Sequence, residues 1–211
     1  MWFTFGPLIR AYWLVRTRDR DRVPKGGVIL ASNHNAAIDP VLVCMSFWRP
    51  VYWLAKIELV KSRRVAWFFK GACVIPVDRE APQAESIDAA ARALKEGKLF
   101  GIFPEGTRSP DGRVYKGYTG VARVAQRSGA PVVPVGITGS RRAHKKGRTL
   151  AKPTPCVVHF GEPMHFGILP GEDEHAAYRR FTEEVLDAVA ALVGAERARD
   201  SYSRPPRRPQ P

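Results

Sequence analysis

Within the stretch SNHNAAIDP a histidine and an aspartate, His34 and Asp39, stand five residues apart. An imidazole takes a proton from a hydroxyl near neutral pH when a carboxylate on its other nitrogen fixes the tautomer and stabilises the imidazolium that forms. This is the histidine–acid half of a hydrolase triad without its serine, so the nucleophile would arrive with the substrate. His34 follows a β-rich run, and Asp39 directly precedes Pro40 and the apolar run from Val41 to Phe47. The order predicts a helix with Asp39 as N-cap and Pro40 at its first position, the pair flanking one tight loop. By itself, the pair is also what a capping aspartate and a satisfied loop histidine would give. His144, His159, His165 and His175 have no aspartate five residues on.

A second constellation suits an anion. The segment GIFPEGTRSPDGRVYKG, residues 101–117, holds Glu105, Gly106, Thr107, Arg108 and Ser109 in a turn, with Lys116 nearby. Backbone amides at a glycine turn, a hydroxyl and a guanidinium match a phosphate monoester. Arg108 can engage two phosphate oxygens at once, and Glu105 is expected to hold that fork through its carboxylate. In VIPVDRE, Arg79 stands just past another strand-like run, where a second cation could reach the same anion. Each of these charges taken alone also fits a solvated loop.

The elements that must position these residues follow from periodicity. Short apolar runs predict strands at 28–33, 51–55, 73–77, 99–103, 132–137 and 156–160. Between them lie amphipathic stretches at 84–96, 118–128 and 172–192; the first repeats Ile87, Ala91 and Leu94 on one face and stops at Gly97. Strands alternating with helices predict an α/β domain with helices covering a central sheet.

Composition sets the outer bounds. The 211 residues fit one domain, and 45% hydrophobic residues can build a core. Cys44, Cys73 and Cys156 form no C-x-x-C pair, which supports neither a disulfide framework nor a zinc site and suits a reducing, cytoplasmic setting. No run approaches the roughly 18 apolar residues that a membrane span needs. Residues 1–23 join Trp2, Phe3, Phe5, Tyr12 and Trp13 to Arg16, Arg18, Arg20 and Arg22, an order suited to an amphipathic helix at a membrane surface; the alternative is a terminal helix packed on the body. Residues 24–196 form the domain, and 197–211, rich in proline and arginine, are expected to be a disordered tail. The cluster GSRRAHKKGR, residues 139–148, reads as a solvated basic loop. The net charge of +14 leaves nucleic acid binding as a reading from another class, one that would require neither the His–Asp pair nor the phosphate turn.

Together these residues resemble the glycerophosphate acyltransferase superfamily, most closely its bacterial 1-acylglycerol-3-phosphate acyltransferases. Four blocks stand in the family's order: NHNAAID (33–39), GACVIPVDR (71–79), FPEGTRS (103–109) and VVPVGI (132–137), and WLAKIEL (53–59) is also family-like. The resemblance implies a single α/β domain with a mixed central sheet covered by helices, and transfer of an acyl group from a thioester to the sn-2 hydroxyl of 1-acylglycerol-3-phosphate. It makes His34 the general base and Asp39 its orienting partner. Arg79, Glu105, Gly106, Thr107, Arg108 and Lys116 become the phosphate site, and Pro134 shapes the acyl-donor side. No metal, no cofactor and no covalent acyl-enzyme are expected; Cys73 then reads as a small buried residue. Acyl-CoA or acyl carrier protein would be the co-substrate. The expected partners are a lysophospholipid and an anionic membrane surface, with no nucleic acid, and the expected location is the cytoplasmic face of the cell membrane, peripherally bound. Other lysophospholipids, glycerol-3-phosphate or a glycolipid hydroxyl stay open as acceptors. Some bacterial members carry a longer N-terminal helical pair; 33 residues precede His34 here, so one helix or a partner would do that work. Pro76 lacks a backbone donor and predicts an edge strand or a bulge in its block.

Overall fold

The computed structural model describes residues 10–56, 74–77, 83–143 and 152–203. In chain order the elements are β1 (Arg16–Arg18), a 3-10 turn (Arg20–Arg22), β2 (Val28–Ser32), α1 (Asp39–Cys44), β3 (Val51–Lys56) and β4 (Val74–Val77). They continue with α2 (Gln83–Lys95), β5 (Leu99–Ile102), β6 (Val114–Tyr115), α3 (Gly120–Ser128), β7 (Val132–Thr138), α4 (Ser140–Ala143), β8 (Val157–Phe160), α5 (Glu174–Val193) and β9 (Arg197–Ala198).

Seven strands form one sheet in the order β1-β8-β7-β2-β5-β3-β4, and β6 pairs with β9 in a second, two-stranded sheet. Every neighbouring pair of the large sheet is parallel except β7–β8. The sheet is therefore mixed, and the α/β expectation holds. All six strands expected from the sequence are present, as are the three long helices.

Alternation along β2, buried at all five residues, shows why the sheet sits where it does. Val28 and Leu30 face a cluster that includes Leu42, Val43, Val133, Val135 and Phe160, on the side covered by α1 and the N-terminal segment. Ile29 and Ala31 face the opposite cluster, where Leu94 of α2, Val121 of α3 and Phe181 of α5 pack. A strand covered on both faces needs the continuous apolar run VILA that the sequence supplies. β4 lies at an edge, and Pro76 stands in it opposite Ala55 of β3. An edge tolerates the missing proline N–H, as expected.

Two terminal expectations are corrected. In the described part of residues 1–23, α-helical conformation ends after Tyr12; Arg16–Arg18 instead add a parallel strand to β8 at the other edge, before the 3-10 turn at Arg20–Arg22. Pairing with the edge of β8 satisfies backbone groups of Arg16–Arg18 that would otherwise be left open at that sheet edge. At the other terminus, residues 197–203 are packed rather than disordered: β9 pairs with β6, the Lys116 N–H donates to the Ser201 carbonyl at 3.0 Å, and Tyr202 stacks on Tyr118. The proline-rich 204–211 and the aromatic 1–9 lie outside the described residues, as does the basic segment 144–151. The start of the expected basic loop is ordered in α4, where Arg141 donates to the carbonyls of Pro110 and Asp111 and so braces a neighbouring turn.

Candidate active site

Parallel neighbours release their following loops at the same edge of a sheet, which is where α/β folds place ligands. β2 and β5 are such neighbours, with Ala31 opposite Ile102, so the loop bearing His34 and the loop bearing Glu105–Ser109 emerge side by side. β7 flanks β2 on its other side in the same direction. Asn33, buried at the end of β2, fixes this edge: its side chain donates to the Ile137 carbonyl at 3.0 Å and accepts from the Ile137 N–H at 2.8 Å.

His34 and Asp39 come together as expected, with 2.9 Å between Nδ1 and Oδ2. Because a carboxylate only accepts, Nδ1 carries the proton and Nε2 presents its lone pair. Asp39 is fully buried, whereas the His34 side chain is 17% exposed. Nε2 has no partner among the described residues. The predicted cap is corrected: Ile38 occupies the N-cap, Asp39 is the first helical residue, and its side chain caps no helix amide. Oδ2 turns back instead and accepts from the Asn35 N–H at 2.6 Å and the Ala36 N–H at 2.7 Å. The tight loop leaves those two amides without strand or helix partners, and an inward carboxylate satisfies both while holding the imidazole.

The imidazole plane is set from its face as well. Phe103 stacks on His34 with centroids 4.0 Å apart and planes 16° apart, and Trp53 stacks on the far side of Phe103 at 4.8 Å and 20°. This file of three rings depends on Gly101, which faces Trp53 across β5 and β3. A Cβ at Gly101 would lie 2.5 Å from the indole. Neither ring was singled out from the sequence beyond its place in a block; a glycine in the middle of the apolar run LFGIF is the signal that an aromatic approaches the backbone closely.

Glu105 departs from its predicted role. Its carboxylate is 1% exposed and does not pair with Arg108; Oε1 accepts the His34 N–H at 3.4 Å and Oε2 the Tyr115 N–H at 3.0 Å. Burial pushes its pKa up to about 7, against the two backbone N–H bonds and the charge of Arg197, which pull it down, while Asp39 adds to the rise. The sequence places an acid beside an arginine, but the strand end points the acid inward and leaves the arginine in solvent. Ser109 is a builder of the turn: its N–H donates to the His34 carbonyl at 2.7 Å, and its hydroxyl donates to the Arg113 carbonyl and accepts from the Gly112 N–H.

The cationic side of the site is open. Arg108 is exposed and forms no ion pair among the described residues, and Thr107 is half-buried beside it. Gly106 makes the turn at φ +69°, and its own N–H is committed to the Phe103 carbonyl at 3.0 Å. The N–H groups and side chains of Thr107 and Arg108 are therefore what this turn presents to an anion. Lys116 points toward Tyr202, 5.7 Å from its ring centroid. Arg79 and Cys73 lie outside the described residues. Cys156 is buried and its thiol is pushed up to about 11 by that burial, which removes it as a nucleophile at neutral pH. An apolar cavity of about 210 Å3, bordered by Leu54, Ile87, Ile102, Phe103 and Tyr118, opens next to the ring file.

Nε2 can take the proton of a hydroxyl, and the Thr107–Arg108 turn can meet an anion, a combination whose chemistry suits group transfer to an anionic alcohol. The chain belongs to the Acyltransferase family, whose sequence model matches residues 14–138. It is 31% identical over 168 residues to the 1-acyl-sn-glycerol-3-phosphate acyltransferase of Bacillus subtilis, covering 77% of this chain and 81% of that protein. A protein of the same description from Limnanthes alba is 34% identical over 152 residues, and there the match spans about half of the relative, 51%. Among solved structures, the 1-acyl-sn-glycerophosphate (LPA) acyltransferase PlsC of Thermotoga maritima superposes with a TM-score of 0.69 at 29% identity, covering 89% of this chain and 76% of that one.

Proposed function

We propose that the protein transfers a fatty acyl group from a thioester to the sn-2 hydroxyl of 1-acylglycerol-3-phosphate, giving phosphatidate for phospholipid synthesis. The observation that carries this is the His34–Asp39 pair, 2.9 Å apart, with Nε2 turned away from the carboxylate at a partly open edge. His34 takes the acceptor's hydroxyl proton as its oxygen attacks the thioester carbonyl. Collapse of the tetrahedral adduct expels the thiolate, which recovers the proton from the imidazolium. Asp39 stabilises the imidazolium between those two events. Arg108 and Thr107 hold the acceptor phosphate, with Lys116 and Arg79 as further ligands, and this grip decides which hydroxyl reaches Nε2. The cavity beside Phe103 suits an alkyl chain. Acyl-CoA or acyl carrier protein serves as the donor. Peripheral attachment at the cytoplasmic face of the cell membrane completes the reading, supported by exposed Tyr12 and Leu14 and by the N-terminal arginines. Among the described residues no helix is long and apolar enough to cross a membrane.

Purified protein in liposomes, given each donor with lysophosphatidate or glycerol-3-phosphate, tests the reading. Phosphatidate formation with lysophosphatidate preferred is expected. Exclusive use of glycerol-3-phosphate, or no transfer with either donor, would overturn it.

A further inference from the structure

Arg197 lies 163 positions beyond His34 in the chain, yet it grips the strand that supports the histidine. Its side chain is only 10% exposed. Nη1 donates to the carbonyls of Val114 and Tyr115 at 3.0 and 2.8 Å, and Nε donates to Asp187 at 2.8 Å. Nη2 pairs with Glu183. One guanidinium thus ties α5, through its two acids, to both residues of β6. The same strand serves the site: the Tyr115 N–H donates to Oε2 of Glu105, whose Oε1 accepts the His34 N–H. The charge of Arg197 also acts on Glu105 and opposes that of Asp39, the other charged side chain bearing on it; His34 and Tyr115 meet Glu105 through their backbone N–H groups.

We infer that Arg197 is a positioning residue for acyl transfer: its fork sets the register of β6, whose Tyr115 N–H anchors Glu105, so that this carboxylate holds the His34 backbone while Asp39 orients the ring. The inference rests on the reading of His34 as general base. Removing the charge favours protonated Glu105, and a protonated carboxyl accepts the two N–H groups less well than a carboxylate. Losing the fork also frees β6. The side-chain partners of Arg197 are Val114, Tyr115, Glu183 and Asp187 rather than the residues assigned to the acceptor, so its loss is expected to act on kcat more than on acceptor binding.

The test measures acyl transfer to lysophosphatidate from pH 5 to 9 with the full chain, comparing wild type, Arg197→Gln and Arg197→Lys, alongside the Glu105 side-chain carboxyl 13C resonance of each. Arg197→Gln should lower kcat at pH 7 by about ten- to hundredfold with acceptor KM within about twofold, since small misplacement of a catalytic group costs on that order. The acid limb of kcat and the Glu105 resonance should both titrate about one pH unit higher. Arg197→Lys should return both midpoints toward wild type while kcat stays reduced, because a lysine keeps the charge without the fork. In a Glu105→Gln background, Arg197→Gln should move the acid limb no further. A folded Arg197→Gln with wild-type kcat and midpoint overturns the inference; if that variant does not fold by circular dichroism, a wild-type kcat in Arg197→Lys overturns it. Wild-type protein inactive on lysophosphatidate would count against the proposed reaction, and the Glu105 resonance, which needs no turnover, still decides the role of Arg197.

Discussion

At the scale of single residues, the site is organised by two buried carboxylates with different tasks. Asp39 gathers three N–H donors on one oxygen and so fixes a loop and a ring together. Glu105 spans two backbone segments and carries a raised pKa, which has a thermodynamic consequence with a definite sign. Its pKa in the folded chain, about 7, lies above the ordinary 4.5 because burial penalises the charge. Between those values the folded state holds a proton that the unfolded state has released, so the Glu105 contribution to stability falls as pH rises from about 4.5 to about 7. Denaturant unfolding of wild type and Glu105→Gln across that window should show the difference in stability, wild type minus variant, declining with pH. A difference that is flat or rises with pH would contradict the assigned cause. Activity should run the other way, since the carboxylate form holds the His34 loop best.

At the scale of elements, parallel adjacency does most of the positioning. β2 and β5 bring together two loops separated by some seventy residues, and the ring file His34–Phe103–Trp53 crosses from β2 through the β5 loop to β3. Gly101 is the element on which this crossing depends. Gly101→Ala should place a methyl group into the indole, forcing Trp53 to shift and costing about 1–3 kcal/mol as overpacking does. A lowered thermal midpoint with altered Trp fluorescence and reduced kcat is expected; a variant with wild-type stability and turnover would mean that the rings only fill space. The strands and long helices were legible in the sequence because each has an uninterrupted period, VILA for the doubly buried β2 and Ile87–Ala91–Leu94 for α2. β1, β6 and β9 were not, because two or three residues such as RTR or VY carry no period and pair only once tertiary neighbours are in place.

At the scale of the whole molecule, the charge of +14 divides into committed and open cations. Arg49 donates to the carbonyls of Pro24 and Gly26, Arg180 pairs with Glu172 and Glu184, and Arg197 with Glu183 and Asp187. Those charges are spent on internal structure; Arg108 stands open at the site edge. From sequence alone the two kinds look the same: the His34–Asp39 pair gains its meaning from the block NHNAAID that it shares with a family, whereas the sequence sets Glu105 with Arg108 and Arg197 in a proline- and arginine-rich tail. Only the fold tells which arginine meets a carbonyl. The remaining diffuse field should attract anionic bilayers at up to about 1 kcal/mol per cation near the surface. Flotation should therefore recover the protein with anionic vesicles at low salt and lose it as salt is raised, with neutral vesicles retaining less. Equal recovery with both lipid types at every salt concentration would assign attachment to apolar contacts alone.

The central claim is that the imidazole of His34 removes the proton from the acceptor. Turnover of purified His34→Ala in liposomes, with lysophosphatidate and an acyl thioester, tests it most directly. The account predicts kcat lower by about 10²–10⁴-fold or more, the contribution of a positioned base, with an unchanged circular dichroism spectrum. Acyl transfer by the folded variant at a rate near that of the wild type would contradict it.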